Sequence, residues 1–225
     1  MEILRTEKLE KIYQDNGVPV HALKGIDLKI SKGDHIVIAG PSGSGKTTLL
    51  NLLGALDKPT EGKIYIANED ISLKTKKELS DFRLHKLGFI FQAYNLIPVL
   101  TALENIEFSM MLLGIPEKER HEKALNLMDE LGIKELAGKR PNEMSGGQQQ
   151  RVAVARAIVN HPSIVLADEP TANLDSETGS HLLDLMERMN KEKNITFIFS
   201  SHDKQVIDRA GRLIILKDGK IVEGF

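Results

Sequence analysis

His35-Ile36-Val37-Ile38-Ala39 runs directly into Gly40-Pro41-Ser42-Gly43-Ser44-Gly45-Lys46-Thr47-Thr48. The first five residues are a short β-branched apolar run, which reads as a buried strand. The residues from Lys46 to Ala55 read as a helix. Between them, Gly40–Thr47 fits the pattern G-x-x-x-x-G-K-[ST] in full, with a strand before it and a helix after it. Glycines there let successive backbone N–H groups turn inward as an anion nest, and the helix N-terminus adds partial positive charge. Lys46 supplies a full charge for β- and γ-phosphates, and the Thr47 hydroxyl is a ligand for Mg²⁺. The stretch predicts a nucleoside triphosphate site on an α/β core.

Such a site needs a carboxylate for the metal at the end of a neighbouring buried strand. Ser163-Ile164-Val165-Leu166-Ala167 followed by Asp168-Glu169 supplies it. Asp168 is expected to hold Mg²⁺ and Glu169 to face the attacking water as general base. Nucleotide binding alone does not require the second acid, so the pair points to hydrolysis.

Away from these two stretches the chain divides into three. From Met1 to about Asn68 it is strand-rich, with Ile3–Ile12 and Ala22–Ile30 joined by a turn at Asp15-Asn16-Gly17. From about Glu69 to Asn160 it reads as mainly helical. Arg120–Leu131 puts Ala124, Leu125, Met128 and Leu131 on one face, and Gly146–Asn160 does the same with Val152, Val154, Ala157 and Ile158. The last part alternates: helix at Glu177–Asn190, strand at Asn194–Ser200, short helix at Asp203–Ala210, then a hairpin at Asp218-Gly219. Strands alternating with helices predict a parallel sheet. The fold expected is a P-loop NTPase core with an antiparallel β subdomain on its N-terminal side and an inserted helical subdomain. Its bounds are approximately 1–92 and 161–225 for the core with the β subdomain, and 93–160 for the helical insertion.

Composition fits one such domain. The chain has 225 residues, 41% of them hydrophobic and 28% charged. It has no cysteine, which excludes disulfides and thiolate metal sites. Thirty basic residues against 32 acidic ones leave a net charge of −2. That is not the basic excess of a nucleic-acid binder. The charged N-terminus is unlike a signal peptide. The longest apolar run, Phe108–Pro116, reaches about half of the ~20 residues that span a bilayer. Composition therefore predicts a soluble intracellular protein.

A second Ser/Gly helix start lies at Met144-Ser145-Gly146-Gly147-Gln148. By itself it is either another anion-binding helix end or an ordinary cap. In this order after the phosphate loop it resembles the Leu-Ser-Gly-Gly-Gln signature of ATP-binding cassette (ABC) ATPases, with Met144 in place of Leu. The remaining landmarks are similar to that family's and follow its order. Tyr13 resembles the aromatic that stacks on adenine. Gln92, in Phe89-Ile90-Phe91-Gln92, resembles the Q-loop glutamine, which senses nucleotide and reaches the metal. Ala172-Asn173-Leu174-Asp175 resembles the D-loop, and Ser200-Ser201-His202-Asp203 the segment with the switch histidine. Asp175 is also placed to cap the following helix.

The resemblance implies ATP and Mg²⁺ as cofactors and a head-to-tail homodimer. In it Ser145, Gly146, Gly147, Gln148 and Asp175 would complete the site on the opposing chain. It implies that Glu169, His202 and Gln92 carry the reaction, and that Thr47, Gln92 and Asp168 hold the metal. The stretch from Phe91 to Asn105 (FQAYNLIPVLTALEN), combined with Met144 to Ala157 (MSGGQQQRVAVARA), resembles the lipoprotein-release and macrolide-export branch. That branch implies an ATPase on the inner face of the cell membrane, bound to an integral permease and not to nucleic acid. The apolar residues of this stretch read either as an interface or as local packing. A cell-division ATPase regulating wall hydrolysis and an importer ATPase share the same motifs. The short span from Gln92 to Ser145 leaves no room for the coiled coil of DNA-repair relatives, and one phosphate loop is unlike the two-cassette ribosomal relatives.

Overall fold

The computed structural model describes residues 1–15 and 17–224. The chain opens with two long strands, β1 (Glu2–Asp15) and β2 (Val18–Ser31), paired antiparallel. The expected turn between them includes Asn16, outside the described residues. With β4 (Glu61–Ile66) and β5 (Glu69–Asp70) they form a four-stranded antiparallel sheet in the order β2-β1-β4-β5. The second sheet has six strands in the order β10-β9-β3-β8-β7-β6. They are β3 (His35–Ala39), β6 (Leu87–Ile90), β7 (Ile164–Asp168), β8 (Thr196–Ser200), β9 (Arg212–Lys217) and β10 (Lys220–Gly224). From β9 to β6 every pairing is parallel, and β10 adds an antiparallel edge.

The period-two geometry of strands explains the layers. Ile36 and Ile38 of β3, Leu166 of β7 and Ile198 of β8 face a core shared with the antiparallel sheet and with α1 (Lys46–Leu53) and α2 (Lys76–Lys86). Val37, Ala39, Val165, Phe197 and Phe199 face the other way. They meet α3 (Ala102–Leu112), α4 (Glu117–Glu130), α5 (Gly146–Ile158) and α6 (Ser176–Lys193) in one continuous cluster. The short α7 (Lys204–Ile207) packs its Val206 into the same cluster. The core strands are buried on both sides, so they read as unbroken apolar runs.

The stretch from Glu69 to Asn160 is mainly helical as expected, and it also carries β6, an edge of the parallel sheet. Two expectations are corrected. On α4 the buried set is Ala124, Leu127 and Met128, with Leu131 at the cap, and Leu125 is only half-buried. Leu127 lies three residues from Ala124 and four from Leu131, which aligns it with them. The helix after His202 covers only Lys204–Ile207, with Asp203 as its cap. The segment after Gln92 divides its apolar side chains: Leu96 packs against the main cluster, whereas Val99 is 74% exposed.

Candidate active site

The phosphate loop connects the C-terminal end of β3 to α1, at the carboxyl edge of the parallel sheet. Open α/β sheets bind ligands at that edge. Gly45 caps α1 in a left-handed conformation, φ 104°, which a side chain adopts only with strain. Its packing is equally tight, since a Cβ there would stand 2.6 Å from the Ala22 carbonyl oxygen. The loop is tied down from the far end of the chain as well. Gly219 N–H donates to the Ser44 carbonyl (3.1 Å), and Lys24 N–H to the Gly219 carbonyl (2.8 Å).

The loop borders a cavity of about 730 Å³. Pro41, Ser42, Gly43, Gly45, Lys46, Thr47 and Thr48 form one wall, and Gln92, Glu169 and His202 stand across it. Sequence reasoning therefore named most of this lining. Ala172 lines it too, and the rest of the lining, Val20, His21, Ala22 and Lys24 of β2 with Asp218 and Gly219, had no site role in the sequence. Both groups sit at recognisable sequence features, a strand and an Asp-Gly turn, but their approach to the loop comes from the fold. Gly40 and Ser44 support the loop without lining the cavity, and Ser44 is buried.

Lys46 Nζ donates to the Gly40 and Pro41 carbonyls at 2.8 and 3.0 Å. The ammonium is therefore held over the loop by two of the loop's own backbone carbonyls. Asp168 closes β7, and its Oδ1 is buried without a hydrogen-bond partner among the described residues. Burial pushes its pKa up, the nearby Ser200 hydroxyl opposes that, the adjacent Glu169 raises it further and Lys46 lowers it. An unpartnered buried carboxylate oxygen beside the phosphate loop fits a cation.

Glu169 follows in a left-handed backbone conformation, φ 45°, its N–H bonded to the Ser200 carbonyl at 2.9 Å. The turn re-aims the chain so that two successive acids leave the strand in different directions. Both Glu169 oxygens are engaged: Oε1 accepts from His202 Nδ1 at 2.7 Å and Oε2 from Ser201 Oγ at 2.9 Å. His202 is itself 74% exposed at the cavity, so the pair presents an imidazole oriented by a fixed carboxylate.

Other expected residues lie apart. Ser145 caps α5 in a capping box with Gln148, and neither they nor Gly146 and Gly147 line the cavity of their own chain. Met144 is buried in the main cluster, where an apolar residue of Leu-like volume is required. Asp175 caps α6, accepting from Thr178 N–H at 2.9 Å and Thr178 Oγ1 at 2.7 Å. Tyr13 pairs with Val20 across β1 and β2 but is not in the lining. Its hydroxyl donates to Asp57 at 2.9 Å, and Lys11 Nζ stands 4.8 Å from its ring centroid. Burial and the bond to Asp57 raise the Tyr13 pKa.

With this geometry the comparisons with known proteins agree. The model of the family described as ABC transporter matches residues 23–172, from β2 through the phosphate loop and the signature to the D-loop. The chain belongs to the ABC transporter family. It is an ATPase cassette of that family. The cassette is 45% identical over 219 residues to the lipoprotein-releasing system ATP-binding protein LolD of Legionella pneumophila, covering 97% of this chain and 96% of that one. It is 42% identical to the macrolide export ATP-binding/permease protein MacB of Aggregatibacter actinomycetemcomitans, covering 99% of this chain and 34% of MacB. Its structure superimposes on a dimeric post-hydrolysis state of the ATP-binding cassette MJ0796 bound to ADP and Pi. The TM-score is 0.90 at 41% identity, covering 99% of this chain and 98% of that one. MJ0796 is a protein of Methanocaldococcus jannaschii. No described helix of this cassette is long and apolar enough to cross a membrane.

Proposed function

We propose that two copies of this cassette close head to tail around ATP and drive a separate membrane permease of the lipoprotein-release or macrolide-export type. The observation that carries the reading is the separation of two anion-binding helix ends. The α1 end borders the cavity, while Ser145, Gly146 and Gly147 at the α5 end are absent from it. A single chain leaves a bound γ-phosphate open to water on one side. A second copy, turned about a two-fold axis, supplies the missing helix end and links dimerisation to ATP.

Within that closed site Lys46 binds the β- and γ-phosphates. Thr47, Gln92 and Asp168 would hold a Mg²⁺ ion, which supplies charge neutralisation at the phosphate oxygens. Glu169 takes a proton from the attacking water, and the new bond to phosphorus displaces ADP. His202, oriented by Glu169, contacts the γ-phosphate. Loss of that phosphate removes the bridge and lets the dimer open. Tyr13 stacks on the adenine after exchanging Asp57 for the base, and Asp175 meets the opposing chain. A permease partner is supported by the relatives: MacB is named as both ATP-binding protein and permease, and this chain matches its cassette-sized third. The cassette would then sit on the cytoplasmic face of the membrane, held there by the permease and binding no nucleic acid.

The test is Glu169→Gln, analysed by size-exclusion chromatography with and without ATP. The expected result is no turnover, a monomer without nucleotide and a dimer with it. A monomer in both conditions, with ATP shown to be bound, overturns the head-to-tail reading.

A further inference from the structure

Gln150 is a polar side chain with no exposure, one turn into the helix that begins at Ser145. Its Nε2 donates to the Pro170 carbonyl at 2.7 Å and reaches the Phe91 carbonyl at 3.5 Å. Those two carbonyls belong to the residue after Glu169 and the residue before Gln92. The Oε1 atom is buried and has no partner among the described residues. Leaving a buried acceptor unpaired destabilises a fold by roughly 1–3 kcal/mol. The amide therefore carries that cost at Oε1 while it satisfies the buried Pro170 carbonyl, which an apolar residue would leave unpaired.

The neighbouring contacts have the same sense. The backbone after Gln92 is held by α5 and by the segment after Glu169. Arg156 donates to the Tyr94 and Asn95 carbonyls, and Asn173 Nδ2 to the Gln92 carbonyl at 2.9 Å. Tyr94 and Asn95 are both left-handed, φ 58° and 50°, so this backbone keeps its course only while such partners hold it. Asn173 ties the segment after Glu169 directly to Gln92, and Gln150 bonds from α5 to the residues beside both, Pro170 and Phe91.

We propose that Gln150 is a positioning residue for ATP hydrolysis: it sets the spacing between Glu169 and Gln92 through the Pro170 and Phe91 carbonyls. It touches neither nucleotide nor water. Because the same helix starts with Ser145, the amide also ties the placement of this chain's general base to the helix end that faces the other nucleotide. The inference rests on Glu169 being the base.

Two variants test it. Gln150→Met keeps the length and removes the donor, and Gln150→Asn keeps an amide too short to reach both carbonyls. ATP turnover is measured per bound nucleotide, with the ATP dissociation constant measured separately. A displacement of about 1 Å at a reacting group costs about 10²-fold in rate. The expected result is therefore a fall in kcat of roughly 10- to 100-fold with ATP affinity little changed. A residue of merely structural importance would lower the melting temperature and the bound fraction, but not turnover per bound nucleotide. Parental kcat in either folded variant overturns the proposal. Should Gln150→Met fail to fold, Gln150→Asn decides. If Glu169→Gln retains turnover, the assignment of the base has failed instead, and the two failures are distinguished.

Discussion

Replacing Gly219, in the turn between the last two strands, tests how strongly the far end of the chain supports the phosphate loop. Asp218 and Gly219 are both left-handed, φ 50° and 78°, as a two-residue hairpin turn requires. A Cβ on Gly219 would stand 2.7 Å from the Ala22 carbonyl oxygen and 3.2 Å from two further backbone atoms of Ala22 and Leu23. Ordinary contact begins near 3.4 Å. The hairpin must therefore retreat by roughly 0.7 Å, which is of the size that forced overpacking produces. The left-handed backbone contributes about 1–2 kcal/mol of destabilisation in Gly219→Ala, and the clash adds about 1–3 kcal/mol. Gly132 is the matched control: φ is 64° and no atom lies within 4 Å of its Cβ position, so Gly132→Ala carries the first term alone. At about 2–4 °C per kcal/mol for a chain of this size, Gly219→Ala should melt about 2–12 °C below Gly132→Ala. Retreat also stretches the Gly219–Ser44 hydrogen bond, so ATP binding should weaken in Gly219→Ala and not in Gly132→Ala. Differential scanning calorimetry and nucleotide titration of both variants provide the measurements. If the two melt together and bind ATP alike, the hairpin is not a support of the loop.

Two further outcomes follow from polar groups outside the cavity. Asn105 is buried and holds the segment after Gln92: its Oδ1 accepts from Ile97 N–H at 2.7 Å, and its Nδ2 donates to the Ile97, Leu100 and Thr101 carbonyls at 2.9–3.2 Å. Asn105→Ala should destabilise the cassette by about 2–4 kcal/mol, with faster amide exchange at Ile97, a result that parental exchange rates would refute. Glu104 completes the capping box of α3, and its bonds from the Thr101 N–H and hydroxyl hold its pKa below the usual carboxylate range. Since the folded pKa is the lower one, this contribution is full above about pH 4.3 and disappears as pH falls through the folded value. Glu104→Gln should therefore flatten the acid side of the melting-temperature profile, and an unchanged profile would refute the assignment.

The nucleotide-binding half of the site was legible in the sequence because its pieces are local. A strand, a glycine loop and a helix that follow each other directly leave few geometries open, and the same holds for Asp168-Glu169 at the end of an apolar strand. The Ser145 cap was equally readable, since a cap depends on residues close together in the chain. What stayed illegible depends on distant segments meeting. The edge strand β6 sits inside a stretch of helical composition, and its pairing with β7 decides its state. Leu127, by contrast, was legible from its spacing to Ala124 and Leu131, which Leu125 lacks.

Residue type and short spacing are enough to name groups suited to phosphate, a metal and a proton: Lys46, Asp168 and Glu169. How those groups are held depends on distant segments meeting in the fold. The tertiary structure brings the Asp218-Gly219 turn under the phosphate loop, joins His202 to Glu169, and leaves the signature helix end outside its own chain's cavity. It also buries Gln150 between Phe91 and Pro170. The physical reason is that backbone carbonyls, which every residue carries alike, take their partners from the packing of the whole chain.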